Sequence, residues 1–157
     1  MAIEAIDDTD LTALLAYWTG KCGSRTMPRR ADIDPTEIPS LLPYLFIAEI
    51  HHPLRFRFRL VGTAICQRWG ENPTGKWLDE LSFDGERQAV MEQYASVPQT
   101  SAPRFDVAEF VNERGRYLHY RRLLLPLSED GRTANMLLGG QKAIGVEGYQ
   151  VSVPKWI

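Results

Sequence analysis

The sequence predicts an α+β domain, a five-stranded antiparallel sheet with helices on one face and an extra amphipathic helix at the N-terminus. Residues 55–60 alternate arginine with phenylalanine or leucine without a break, the two-residue period of a strand that buries one face. Asn112-Glu-Arg-Gly115 and Ser128-Glu-Asp-Gly131 have hairpin-turn chemistry and divide the last third of the chain into three apolar strand candidates. Short helical segments bounded by glycine and proline lie between the first two strands and the last three. An order of hairpin, helices and meander implies one antiparallel sheet with the helices packed to one side.

The leading helix starts at Asp7 or Asp8, where a carboxylate can cap free amides. It carries Leu11, Leu14, Leu15 and Trp18 on one stripe and ends at Gly20 and Gly23. That stripe needs a cover, either the sheet or another copy of the chain. The segment from Met27 to Pro35 has no apolar period and reads as an ordered loop. It leads into a short helical piece capped by Asp34, with Pro35 at the first position and Glu37 favoured by the helix dipole. Leu45 to Ile50 reads as a buried strand, and His51 to Leu54 connect it to the alternating strand. Phe56, Phe58 and Leu60 are expected on one face of that strand, and Arg55, Arg57 and Arg59 on the other. Thr63 is expected to cap a short helix that Gly70 stops. Trp77, Leu78 and Leu81 form another short piece, and Asp84 caps a longer helix with the stripe Val90, Met91, Tyr94 and Val97, closed by Pro98. The last strands span Arg104 to Val111, Tyr117 to Leu127, and Thr133 to about Ala143.

At 157 residues and 44% hydrophobic content, the chain suits one domain that buries roughly two-thirds of its unfolded surface. Residues 1–26 are read as the leading helix and its connection, 27–144 as the domain body, and 145–157 as a tail. A formal charge of -2 gives no field to draw the chain onto nucleic acid or an anionic bilayer. No apolar run approaches the ~20 residues that span a membrane, and the acidic start does not resemble a secretory signal, which places the chain in the cytoplasm. Cys22 and Cys66 make neither a disulfide framework nor a zinc site and are read as reduced thiols.

Particular residues resemble a PAS domain. Phe58-Arg-Leu-Val-Gly-Thr-Ala-Ile-Cys-Gln-Arg-Trp-Gly70 followed by Asn72-Pro-Thr-Gly-Lys-Trp-Leu-Asp79 is similar to the PAS pattern of a second strand, a capped short helix ending in an aromatic and glycine, and the entry to the next helix. Tyr17-Trp18, Met27-Pro-Arg-Arg-Ala-Asp-Ile-Asp-Pro35, Ile38-Pro-Ser-Leu-Leu-Pro43, Arg59-Leu-Val-Gly-Thr63 and Arg122-Leu-Leu-Leu-Pro-Leu127 resemble a family of short bacterial PAS proteins that often consist of this domain alone. The likeness runs from about Tyr17 to Leu138, and the element at Met27–Pro35 is its most specific part. It implies the fold, a regulatory role and frequent self-association, and it names no ligand.

A metabolite or cofactor in such a fold binds between the inner sheet face and the helices. Strand alternation puts Phe58, Trp69, Tyr120, Arg122, Met136 and Leu138 forward as lining residues, with Arg122 able to fix an anion through its fork of donors. The bland alternative is ordinary aromatic core, with Arg122 paired to an acid. Arg29, Arg30, Asp32 and Asp34 either dock a partner or an anionic ligand, or satisfy one another and pin their loop, and Arg59 is expected to find Asp32 or Asp34. Leu11, Leu14, Leu15 and Trp18 are the expected homodimer contacts. The resemblance also allows a check on cofactors. Haem in a PAS domain takes an axial histidine from the long helix, and residues 84–97 contain none. Photoactive flavin domains use a cysteine in an Asn-Cys-Arg-type motif, which Ile65 and Gln67 around Cys66 do not match. Both observations argue against haem and covalent flavin. No phosphate loop, nucleophile elbow or zinc motif is present. The expectation is therefore a non-enzymatic sensory or signal-relay module that binds a small molecule, a regulatory protein, or both. Its rival is a small α+β enzyme or lipid-binding cup using His119 with Asp106 or Glu109.

Overall fold

In the computed structural model, residues 6–145 are described. The strands are β1 (Leu45–His51), β2 (Arg55–Val61), β3 (Arg104–Val111), β4 (Tyr117–Leu127) and β5 (Met136–Ala143), and the helices are α1 (Thr9–Cys22), α2 (Thr63–Trp69) and α3 (Arg87–Thr100). The five strands form one sheet in the order β2-β1-β5-β4-β3, with every neighbouring pair antiparallel. The last strand therefore closes the sheet, entering between the hairpin that begins it and the β3–β4 hairpin. Beyond Gly145 the expected tail lies outside the described residues.

Helices cover both faces, and the sheet has two cores. The inner one unites Phe46, Phe58, Val61, Trp69, Tyr94, Phe110 and Tyr120 beneath α2 and α3. The outer one joins Leu45, Ile47, Leu123, Leu125 and Leu138 to Leu11, Leu14 and Trp18 of α1 and to Ile33, Ile38 and Leu41 of the irregular N-terminal segment. Asp8 caps α1 by accepting from Leu11 N at 2.9 Å, and the helix passes through Gly20 to end at Gly23, whose φ of 57° suits glycine. The stripe expected to meet a second copy is thus covered by the chain's own sheet. Leu11, Leu14 and Trp18 are buried there, Leu15 packs at the edge of the same cluster, and Trp18 Nε1 donates to the Pro126 carbonyl at 2.9 Å.

Adjacent glycines let both layers approach β5. A Cβ on Gly139 would stand 2.0 Å from the Phe46 ring, and one on Gly140 would stand 2.8 Å from Leu11 and Leu14. Any larger residue at either position pushes one layer off the sheet.

Several boundaries differ from the sequence reading. β2 pairs with β1 through a bulge: Phe58 faces Ala48, but Leu60 faces Ile47, leaving Arg59 as the extra residue. The bulge turns Val61 into the inner core and leaves Leu60 half exposed on the outer side, so Leu60 does not share a face with Phe56 and Phe58. Gly62 rather than Thr63 occupies the cap position of α2, because its backbone lies against Pro43 O, which a Cβ would meet at 2.4 Å. Asp84 opens a single 3-10 turn, α3 begins at Arg87, and the helix carries Pro98 within its last turn. β5 begins at Met136, since the residues before it are held in the Ser128–Thr133 loop by Asp130 and Ser128.

Candidate functional site

On the inner face, β4 directs Tyr120 and Arg122 beneath α3, β3 brings Asp106 opposite Arg122, and α2 adds Arg68 and Trp69. Arg122 is fully buried. Its Nη2 donates to Gln93 Oε1 of α3 and to Asp106 Oδ2 at 3.3 Å, and its guanidinium stacks 5.0 Å from the centre of the Tyr94 ring. Its Nε and Nη1 are buried without a hydrogen-bond partner. Asp106 also accepts from Arg104 Nε at 2.9 Å, so one carboxylate serves two guanidinium groups. Arg68 is also buried; its Nη2 donates to Gln141 Oε1 at 2.8 Å, where Trp69 Nε1 arrives at 3.3 Å, and its Cζ lies 5.2 Å from the Tyr120 ring centre. Burial pushes the phenols of Tyr94 and Tyr120 up, so both rings are neutral hydrogen-bonding surfaces at any physiological pH.

The space between these groups is filled by rings. Trp69 contacts Phe83, Phe110 and Tyr120 at centroid distances of 5.8, 5.5 and 6.4 Å, and Phe46 contacts Phe58 and Tyr94 at 5.6 and 6.2 Å. These are the edge and offset distances of packed aromatic cores. A planar cofactor between sheet and helices would have to displace them.

Of the expected lining residues, Phe58, Trp69, Tyr120 and Arg122 do meet on this face. Met136 and Leu138 do not: both belong to the outer cluster, while Leu137 and Gln141 of β5 face inward. β5 lies between β1 and β4 with apolar residues on both faces, and its adjacent polar residues Gln141 and Lys142 point to opposite faces, so neither reveals the phase. Sequence reasoning also missed Arg68, Gln93 and Gln141. A polar residue on a short helix is assigned to solvent by default, and only the close packing of Trp69 and Asn112, whose Nδ2 donates to the Trp69 carbonyl at 2.8 Å, draws α2 inward far enough to bury Arg68.

The charged N-terminal loop is internally satisfied in large part. Asp32 Oδ2 accepts from Arg29 N at 2.9 Å and its other oxygen lies 3.3 Å from Arg29 Nη2, while Asp34 caps the next turn through Thr36 N. Hydrogen bonds from Arg29 hold the Asp32 carboxyl below its usual range. Arg59 pairs with Glu49 at 3.1 Å rather than with Asp32 or Asp34, because the bulge leaves it on the strand edge beside β1. Of the two acid/base pairings expected for His119, the sheet separates it from Asp106 and brings it beside Glu109. His119 Nδ1 lies 3.7 Å from Glu109 Oε2 on the outer side, Glu109 also accepts from Tyr117, and Asp106 points to the inner face with Arg122. Glu109 is 59% exposed at its side chain, so water screens the pair. Cys22 and Cys66 are free, with burial raising both thiols. Among the described residues there is no cluster of three or more metal-ligating side chains and no helix long and apolar enough to cross a membrane.

Comparison with known proteins agrees with this geometry. A family model described as a PAS domain matches residues 6–141. Among solved structures, the chain is similar to a light-oxygen-voltage domain characterised with a flavin analogue (TM-score 0.58, 12% identity, covering 70% of this chain and 83% of the other). It is also similar to the Rhodobacter sphaeroides LOV protein (0.56, 12%, 72% and 69%) and to a PAS domain from Colwellia psychrerythraea (0.53, 10%, 69% and 95%). At these identities the likeness is one of fold. No curated protein matches by sequence. The family match spans most of the chain and the architecture points the same way: the chain belongs to the PAS domain family.

Proposed function

We propose that this domain is a non-enzymatic sensory and signal-relay module that passes its signal by associating with a regulatory protein. The observation that carries this reading is the filled inner chamber: aromatic side chains and the buried Arg68 and Arg122 occupy the volume between sheet and helices. PAS domains are sensory modules as a class, and a chamber closed by its own side chains supports transmission by surface rather than by a resident chromophore. The buried Arg122 ties α3 to β3 and β4 through Gln93 and Asp106, and its two unpartnered nitrogens lower the cost of leaving this arrangement. A partner that holds α3 in a second position therefore shifts the population between two packings. The Met27–Pro35 element supports membership among short bacterial PAS proteins. A homodimer of this domain has to use surface other than Leu11, Leu14 and Trp18, which its own sheet already covers.

A second reading rests on Nε and Nη1 of Arg122: a small anion that enters when α3 moves would satisfy them. The test uses tagged chain cross-linked in its own host, followed by titration of the recovered protein against the purified chain. The relay reading expects one regulatory protein, recovered repeatedly and bound saturably. It is overturned if the purified chain carries haem or flavin absorbance or shows turnover lost in His119→Ala. The second reading takes its place if small anions raise Tm in the wild type and not in Arg122→Ala.

A further inference from the structure

The outer face of the sheet is covered unevenly. Over β4 and β5, α1 lies flat, but over β1 and β2 the roof is the irregular segment 30–43, and between roof and sheet runs a groove of about 350 Å³. Its floor is Leu45, Ile47, Leu60 and Leu138, and Ile33, Ile38 and Leu42 form the wall. Two of the large apolar side chains that the domain leaves exposed, Leu42 at 38% and Leu60 at 50%, stand on this groove. Leu60 is there only because of the bulge at Arg59. Arg30 lines the same groove. Its Nη1 donates to the Ile33 carbonyl at 3.1 Å, and no carboxylate pairs with it among the described residues, although its neighbour Arg29 takes Asp32.

The geometry points to a binding site for a single-chain amphiphile with a carboxylate head, a medium-chain fatty acid in chemical class. The alkyl chain lies on the leucine and isoleucine floor, and the head reaches Nε and Nη2 of Arg30, the edge of the guanidinium not spent on Ile33. The volume sits at the small end of ligand pockets, which run from about 300 to 1,000 Å³. A lining this apolar gains by excluding water and offers little to a polar metabolite. A carboxylate is the head group a guanidinium fork holds best, through two parallel charge-assisted bonds. A second copy fits less well, since a stable interface buries roughly 800 Å² on each partner and the groove offers only Leu42 and Leu60 beyond its own depth. The site lies across the sheet from the closed inner chamber, so it extends the sensory reading by giving it an input that does not require the chamber to open.

Sodium decanoate, kept below its micellar concentration, is titrated into the full chain by calorimetry, with decan-1-ol as the uncharged match. The wild type is expected to bind decanoate at one saturable site, about tenfold or more tightly than the alcohol, the margin of a charge-assisted hydrogen bond. Arg30→Gln is expected to bring decanoate down to the alcohol's affinity and leave the alcohol unchanged. Leu60→Trp, at a half-exposed position where the fold tolerates bulk, fills the groove and abolishes both while melting stays cooperative. Arg122→Met leaves both intact. The inference is overturned by non-saturable uptake, by equal affinity for acid and alcohol, by binding that survives Leu60→Trp, or by binding lost in Arg122→Met, which would place the ligand in the inner chamber. A change of sedimentation coefficient in Leu60→Trp would likewise overturn it and assign the groove to a second copy. Failure here leaves the protein-relay reading standing, because recovery of a regulatory partner is read independently.

Discussion

Arg122→Met and Asp106→Ala remove opposite ends of one buried ion pair, and they are expected to differ in stability by several kcal/mol. The arginine has no solvent exposure, and two of its nitrogens have no partner; each orphaned donor costs about 1–3 kcal/mol. What it gains in return is one Nη2 shared between Gln93 and Asp106, the latter at 3.3 Å, and the face of Tyr94. Methionine fills similar volume, removes both orphans, and strands nothing, since Asp106 keeps Arg104 at 2.9 Å and Gln93 is half-buried. Replacing buried pairs by apolar residues is commonly neutral or stabilising by about 1–4 kcal/mol, so Arg122→Met should fall between the wild type and about 3 kcal/mol more stable. Asp106→Ala instead leaves a fully buried cation without its counter-charge and should cost about 3–5 kcal/mol. The double variant should recover most of that loss. Urea unfolding followed by circular dichroism, with unchanged m-values, measures all three. The reasoning fails if Arg122→Met costs more than about 2 kcal/mol, or if the double variant is no more stable than Asp106→Ala.

Three further outcomes follow from the packing. Gly139→Ala drives a methyl group into the Phe46 ring and should destabilise by about 1–3 kcal/mol or more; an unchanged melting temperature would show that the layers yield freely. Trp18→Ala should cost about 3–5 kcal/mol without changing the sedimentation coefficient, because the side chain is spent on the outer core and the Pro126 carbonyl. Asp130 accepts from Thr133 N, Arg132 N and the Ser128 hydroxyl, which hold its pKa at about 2 against 3.8 for the free group. Its folded value being the lower one, the stabilisation is complete above the unfolded value and disappears as pH falls from about 4 towards 2. Wild type and Asp130→Ala should therefore differ in urea midpoint at pH 5 and converge at the bottom of that window, and a gap that persists in acid would refute the assignment.

Local chemistry in the sequence determined a large part of this molecule. The period of β2 as far as Phe58, the turn residues flanking β3 and β4, and the caps at Asp8 and Asp34 are nearest-neighbour properties, and they appear in the structure where the pattern places them. The inward placement of Tyr120 and Arg122 was legible for the same reason, since strand alternation from Tyr117 carries both to one face. Contacts with distant partners decided the rest. Whether Leu60 faces in or out depends on the bulge opposite Ile47, which exists only once β1 is paired. The phase of β5 depends on Gly139 and Gly140, which have no side chain to alternate, and on neighbours from both halves of the chain. The same holds for the fate of α1: an amphipathic stripe states that it must be covered, but the covering surface is assembled from β4 and β5, more than a hundred residues away. Periodicity reports which residues leave water; which partners receive them is settled only when remote segments compete for the same face.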